Sequence, residues 1–441
     1  MKKTPLDEWA APKLGAGESG LTRELIDNYQ LGKLRDTIRL AYSHSPFYRA
    51  LLRGRGEEGL ACLDDLRRFP FTTAEDLRRH GPRFLCVSQS EISRVVTLDS
   101  SGTTGAAKRL YFTPADQELT VDFFRHGMAA LTGPGDRVLI LLPGERPGGV
   151  GDLLATALRR LGAAPIPHGV VRSIPETLAV LAREAPAVLV GVPVQVLALA
   201  RWAHAAGKNI FRPRSVLLST DHVPAAIVAE LTSLWGCEVF EHYGLTELGL
   251  GGGTDCAAHA GYHLHEADFH FEIVDPATGE ALPAGREGEV VITTLTRRGM
   301  PLIRYRTGDI SRILPEPCAC GSALRRLARL TRRVDGHITL RGGRPLTLAA
   351  LDEAVFAVDG VINYEAAVDR AREALRLTIA AVTAGQPDDG IEAGLYRALD
   401  SVPAIRQAGD MTVTVRVEGC GGLLAPTAAK RAIAELKEAD G

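Results

Sequence analysis

"SSGTTGAAKR" occupies residues 100–109: two serines, a glycine, two threonines, a second glycine, then a lysine and an arginine close behind. Glycine carries no Cβ, so successive backbone N–H groups can turn toward one point; hydroxyls add donors and a lysine adds a point charge. Such a run can wrap an anion, and a polyphosphate is its natural guest. The stretch follows SRVVTL (93–98), which reads as a strand. It is not a Walker-type phosphate loop, because Lys108 trails Gly105 by three residues and no G-x-x-x-x-G-K-[ST] pattern is present. By itself the segment leaves a plain polar turn open as the alternative.

At 441 residues the chain exceeds what one hydrophobic core ordinarily serves, so two or more domains are expected. Hydrophobic residues make up 45% and charged residues 24%, the balance of a soluble globular protein. A net charge of -2 offers no electrostatic case for nucleic acid or an anionic membrane. No run approaches the ~18 apolar residues of a membrane span. MKKTPLDEWAAPKLG lacks the apolar stretch of a signal peptide, so the expected compartment is the cytosol. Seven cysteines, an odd number spread widely, argue against a disulfide framework. Cys62, Cys86, Cys237 and Cys420 stand alone and are expected to be small core residues.

Residues 20–55 carry apolar residues at helical spacing up to a Ser-Pro break. From Asp136 short apolar runs recur: RVLILLP (137–143), AVLVGVP (187–193), SVLLST (215–220) and CEVFEHYG (237–244). Helical patterns such as GDLLATALRRLG and PVQVLALARWAHAAG separate them, which predicts a mostly parallel sheet covered by helices. DFHFEIVD and GEVVITTLT alternate across the turn-rich PATGEALPAG, so a smaller antiparallel sheet is expected over 268–296. After Arg332–Gly336 the pattern becomes that of a small α+β unit, from HITLRGG to MTVTVRVEG. The predicted fold class is therefore α/β, with domains at 1–334 and 335–441. No internal repeat or low-complexity tract is present.

Four segments together resemble the adenylate-forming enzymes, the superfamily of acyl-CoA synthetases, peptide-synthetase adenylation domains and luciferases. SSGTTGAAK resembles their phosphate loop, HYGLTELG (242–249) their Tyr-Gly-x-Thr-Glu segment, RYRTGD (304–309) their Tyr-Arg-Thr-Gly-Asp segment, and RRVDG (332–336) their hinge. AYSHSPFYR, FPFTTAEDLR, GMPLIRYRTGD and EIVDPATGE are similar to the phenylacetate–CoA ligase-like branch. The resemblance spans nearly the whole chain and weakens after about Gly336. It implies a large N-terminal domain and a small, mobile C-terminal α+β domain that rotates between half-reactions, with Asp335 and Gly336 at the hinge.

The resemblance also implies a reaction. A carboxylic acid, aromatic or otherwise hydrophobic, attacks the ATP α-phosphate to give an acyl-adenylate and pyrophosphate; coenzyme A then displaces AMP. Ser100, Ser101, Gly102, Thr103, Thr104, Gly105 and Lys108 would cradle the phosphates. Thr246 would touch the α-phosphate, and Glu247 would hold Mg²⁺, a hard cation suited to carboxylate and phosphate oxygens. Asp309 would accept from the ribose hydroxyls. Tyr243, beside Gly244, would stack near adenine, and Arg333 would approach the nucleotide. Another acyl acceptor, a carrier protein or an amine, remains an alternative, and a homodimer stays open.

The family's C-terminal Ser-x-Gly-Lys-x-x-Arg segment is altered here. In LLAPTAAKRAI, aligned on Arg431, the Gly-Lys pair becomes Thr427-Ala428, and Lys430 lies two residues later. Either Lys430 supplies the adenylation lysine or that lysine is absent, which would leave a degenerate nucleotide- or acyl-binding homologue. Finally, Cys256, Cys318 and Cys320 with one histidine have the composition of a closed structural zinc site. His263 matches the branch's histidine and is the expected fourth ligand; His265 and His259 are the reserves. Gly321 would allow the turn that brings the close Cys-x-Cys pair onto one ion.

Overall fold

Ser45 ends one helix and starts the next. Its N–H bonds Ala41 O at 2.9 Å, and its hydroxyl accepts the N–H of Tyr48 at 3.3 Å. Pro46 holds Ser45 in an extended conformation, so helix Arg23–His44 stops and Pro46–Leu51 begins, as the Ser-Pro break predicts. The computed structural model describes residues 2–17, 20–56, 59–98, 107–207, 211–330, 332–340, 343–369, 376–386, 389–409, 411–424 and 431–436. They divide into two compact units. The first comprises Met1–Gly133, Arg146–Leu161 and His242–Leu330; the second comprises Pro134–Glu145, Gly162–Glu241 and Thr331–Gly441. Among the described residues no helix is long and apolar enough to cross a membrane.

In the first unit, strand Arg94–Leu98 pairs antiparallel with Lys108–Phe112, and Leu98 lies opposite Lys108. Lys108 thus opens the returning strand of an antiparallel pair. A Walker-type lysine instead stands where the chain enters a helix. The expected antiparallel sheet is present: Phe269–Val274 pairs with Gly288–Thr294, which pairs in turn with Tyr305–Ser311. A second antiparallel strip runs from Tyr243 through Gly253–Thr254 and Tyr262–Leu264 to Arg326–Leu327. Tyr48, Phe84, Phe112, Tyr243, Ile292 and Tyr305 belong to one buried cluster, so the two sheets and the hairpin share a core.

In the second unit the apolar runs form the parallel sheet that their continuous hydrophobicity predicts. Its order is Ala164–Pro167, Arg137–Leu141, Val188–Gly191, Ser215–Leu218 and then Glu238–Tyr243, whose Glu238 lies opposite Ser215. The α+β segment near the C-terminus forms a four-stranded sheet in the order Thr412–Gly419, Arg376–Thr383, Val361–Asp369, Ile433–Leu436. Its helix Leu348–Phe356 packs on Ala225–Trp235, and its strand Val361–Asp369 packs on Pro193–Ala205. Leu189, Val196, Val216, Phe356, Val361 and Leu377 therefore share one core.

Arg201, 4% exposed, ties this unit together. Its Nη1 donates to Val358 O at 2.8 Å and Val361 O at 2.5 Å, its Nη2 to Phe356 O at 3.0 Å, and its Nε to Glu230 at 2.9 Å. The carbonyls at and beyond the C-terminus of Leu348–Phe356 thereby gain donors and a favourable positive charge. Arg201→Ala strands these acceptors and should cost at least about 3 kcal/mol. A urea-unfolding series on the full chain checks this; an unchanged midpoint would contradict it.

Candidate active site

The strand Glu238–Tyr243 runs into a turn that only a glycine can begin. A Cβ on Gly244 would lie 2.1 Å from Leu250 O and 2.6 Å from His242 Cε1. Leu245 O then accepts the N–H groups of Leu248 at 3.0 Å and Leu250 at 2.8 Å, closing the short turn Thr246–Leu248. Tyr243 lies opposite Gly253, and Gly252 N–H bonds Tyr243 O at 3.0 Å. The Tyr-Gly-x-Thr-Glu segment is thus a rigid strand-turn, with Thr246 half-buried and Glu247 buried.

Glu247 meets two other elements. The Nζ of Lys108 bonds its Oε1, and the hydroxyl of Tyr305 donates to the same oxygen at 2.8 Å. Burial would push the Glu247 carboxyl upward. The adjacent Lys108 charge, the hydrogen bond from Lys108 and that from Tyr305 reverse this and hold its pKa below the usual value. Asp309, 1% exposed, accepts from the Tyr243 hydroxyl at 3.2 Å. Lys108, Tyr243, Glu247, Tyr305 and Asp309 are therefore joined through the strand-turn: a buried carboxylate facing a lysine, and a second carboxylate facing a phenol. The first pair can be opened by an anion that takes the lysine and a cation that takes the carboxylate.

Both arginines of RYRTGD have structural partners. Arg304, at φ 48°, places Nε and Nη2 on Glu272 at 3.0 and 2.9 Å and Nη1 on the carbonyls of Arg67 and Phe69 at 2.9 and 2.8 Å. Arg306 Nε bonds Glu289 at 2.8 Å. Tyr305 and Asp309 are the residues of that segment that bond to Glu247 and Tyr243. The role of Tyr305 was not read from sequence, although its place within the motif was the available signal. Ser100, Ser101, Gly102, Thr103, Thr104, Gly105 and Lys430 lie outside the described residues. Arg333 is exposed and belongs to the second unit.

Cys256, His263, Cys318 and Cys320 converge, all buried, with their ligand atoms within 4.8 Å of one another. Two sulfurs on a tetrahedral zinc stand about 3.8 Å apart and a sulfur and an imidazole nitrogen about 3.5 Å. Here Cys256 Sγ and Cys318 Sγ are 3.8 Å apart, and Cys320 Sγ and His263 Nε2 are 3.3 Å apart. Gly321, at φ 78°, follows the Cys-x-Cys pair, and its N–H bonds Cys318 O at 2.9 Å. Burial and the two neighbouring sulfurs push the Cys256 thiol well up, while burial and Arg326 pull His263 down to about 4. The donor set fits a thiophilic cation.

The reserve histidines are not in this cluster. His265 bonds Asp268 at 2.8 Å and Gly251 O at 3.1 Å, and stacks on Phe123; His259 bonds Asp255 at 2.7 Å. Of the lone cysteines, Cys86 and Cys237 are buried, and burial pushes their thiols up to about 12 and about 11. The expectation of core positions fails for Cys62, which is exposed; Cys420 is half-buried and packs against the edge of the core. Cys62 precedes the 3₁₀ turn Leu63–Arg68, and its N–H and thiol both donate to the Asp65 carboxylate.

Residues 94–296 match the family model of AMP-binding enzymes. The chain is 32% identical over 378 residues to a phenylacetate-coenzyme A ligase of Thermus thermophilus, covering 80% of this chain and 81% of that one. It is 32% identical over 336 residues to that of Pseudomonas putida, covering 72% and 73%. It belongs to the phenylacetate-coenzyme A ligase family. In fold it is similar to a 2-hydroxyisobutyryl-CoA ligase crystallised with R3-HIB-AMP in the postadenylation state (TM-score 0.80, 21% identity, 94% of this chain and 90% of that one). An anthranilate CoA ligase in complex with anthranoyl-AMP gives a TM-score of 0.53 at 16% identity, over 73% and 63%.

Gly244→Ala should lower stability by at least about 2 kcal/mol, because backbone rather than a flexible side chain blocks the methyl group. Nucleotide binding should fall with it. Thermal unfolding and calorimetric ATP titration measure the two effects, and a variant equal to wild type in both would refute the packing argument.

Proposed function

We propose that this chain is an AMP-forming acid–thiol ligase that activates an aromatic or otherwise hydrophobic carboxylic acid through an acyl-adenylate and transfers the acyl group to coenzyme A. The observation that carries this reading is the meeting of Lys108, Glu247 and Tyr305, together with Tyr243 and Asp309, in a chain of this family. The phosphates of ATP would draw Lys108, with Ser100–Gly105 wrapping them. Glu247, released and ionised, would hold Mg²⁺, which supplies charge neutralisation to the phosphates. Thr246 would contact the α-phosphate, Asp309 the ribose, Tyr243 the adenine and Arg333 the nucleotide. Positioning and charge neutralisation would carry most of the acceleration. Residues 335–441 would act as the mobile domain that serves both half-reactions, and that movement would have to break the packing of this segment on Pro193–Ala205 and Ala225–Trp235 and its bonds to Arg201. The aromatic character of the acid is supported by the names of the relatives.

Cys256, His263, Cys318 and Cys320 would hold a structural Zn²⁺. Three thiolates and an imidazole leave no open position for substrate, so the ion would tie the segment after Thr254 to the segment after Leu314 and take no part in the chemistry. Reduced thiols of this kind support a cytosolic setting.

Pyrophosphate exchange over a panel of carboxylic acids, followed by addition of coenzyme A or of a carrier protein, tests the reading. Aromatic acids should give exchange, and coenzyme A should consume the adenylate. Lys108→Ala and Glu247→Gln should each lower exchange by about 10²-fold or more. The substitution of Ala428 at the family's lysine position gives the binding-protein alternative its own test: if no acid supports exchange, and Lys430→Ala leaves ATP binding unaltered, that alternative replaces the ligase. Protein purified without chelator should contain one equivalent of zinc and lose thermal stability when the metal is stripped. Well under one equivalent would refute the zinc assignment.

A further inference from the structure

Arg297 is a buried cation without the partners that Arg201 and Arg304 enjoy. It is 5% exposed, and among the described residues its Nη1 has no hydrogen-bond partner. The two carboxylates whose charge it feels are committed elsewhere. Asp116 accepts the N–H groups of Thr113, Arg298 and Gly299 at 3.0, 3.0 and 3.2 Å, while Glu247 holds Lys108 and Tyr305. Burial pulls the guanidinium below its usual pKa, with Asp116 and Glu247 opposing.

What Arg297 touches is specific. Its guanidinium lies 4.9 Å from the ring centre of Phe112, the last residue of the strand that opens with Lys108. Its Nη2 lies 3.2 Å from where a Cβ on Gly249 would sit, directly behind the turn that carries Thr246 and Glu247. From another side the Thr120 hydroxyl donates to Gly249 O at 2.6 Å. Arg297, Asp116, Thr120 and Gly249 border a cavity of about 10 Å³, about the room of one water.

Burying a guanidinium without a matched acceptor is expensive, and a well-packed apolar side chain in its place is often neutral or stabilising. Packing alone therefore does not account for an arginine here. The nucleotide-free chain balances Lys108 against Glu247, and a polyphosphate that takes Lys108 leaves that balance negative. Resting on the ligase reading above, we propose that Arg297 is a positioning residue of the nucleotide site. It is a fixed positive charge, buried between the Lys108 strand and the Thr246–Gly249 turn, that holds the two together and offsets the polyphosphate. It contacts the turn and the strand rather than the reacting atoms.

The full-length chain carrying Arg297→Met, which keeps an unbranched apolar stem of most of the arginine's reach and removes its charge, separates this role from packing; Arg297→Lys restores the charge. The thermal midpoint without nucleotide, ATP affinity by calorimetry, and the KM and kcat of pyrophosphate exchange are measured for each. Arg297→Met should keep or raise the midpoint, weaken ATP and raise its KM by at least about tenfold, and leave kcat within about threefold. Arg297→Lys should bring KM back to within about threefold of wild type. A lowered midpoint with KM and kcat falling away together in Arg297→Met, unrelieved by lysine, would make Arg297 a packing residue. ATP binding by Arg297→Met equal to wild type would also overturn the proposal. Wild-type protein that binds ATP yet exchanges pyrophosphate with no acid sinks the ligase reading alone; the calorimetric comparison still decides the role of Arg297.

Discussion

Lys108 and Glu247 lie 139 residues apart in sequence and meet in one partly buried place. The buried Glu247 carboxylate could not be held there charged and alone, because an unpaired buried ion is costly, and the half-buried Lys108 supplies its counter-charge. Their pairing sets a geometric condition on everything around it. The hairpin must return so that Lys108 faces the turn, the turn must be tight enough to lower Glu247 into the core, and Tyr305 must arrive from a third element to share the same oxygen. Gly244 and Gly249 matter because they permit that turn, the first by lacking a Cβ and the second by adopting φ 61°. A pair that is neutral as a whole but made of two separable charges can also receive a ligand carrying both signs, such as a metal–polyphosphate.

Three buried arginines show how one residue type takes different work from its surroundings. Arg201 spends its donors on carbonyls beyond a helix end and on Glu230, and so joins the C-terminal segment to the helices of its unit. Arg304 grips Glu272 with two nitrogens and two loop carbonyls with a third, which anchors the strand that presents Tyr305 and Asp309. In both cases the fork geometry of the guanidinium is matched by acceptors. Among the described residues Arg297 Nη1 lacks that match, and a buried charge without a matched acceptor points to a purpose other than stability.

Much of the site was legible because it lies in short segments whose residue types are chemically constrained. SSGTTGAAKR announces an anion-binding connection, HYGLTELG and RYRTGD bring the carboxylates, and three cysteines with His263 have the composition of a metal site. Other features had no local signature. Nothing in RYRTGD distinguishes the tyrosine that reaches Glu247 from the arginines that do not, because alternation along a strand settles this only once the sheet's two faces are known. Cys62 and Cys86 look alike in sequence, yet one caps a surface turn and the other is enclosed.

The sequence by itself determined the α/β class, the parallel run of apolar strands, the Ser-Pro break between the first helices, the family, and which residue types could bind phosphate, ribose and a thiophilic metal. Periodicity, backbone freedom and side-chain chemistry are local properties, and they survive in a one-dimensional string. Only the tertiary structure decided that Lys108 neutralises Glu247, that Tyr305 joins them, and that Arg297 Nη1 is enclosed with no hydrogen-bond partner among the described residues. These are matters of distance and desolvation between segments remote in sequence, and the energy of a charge depends on what surrounds it after the chain has folded.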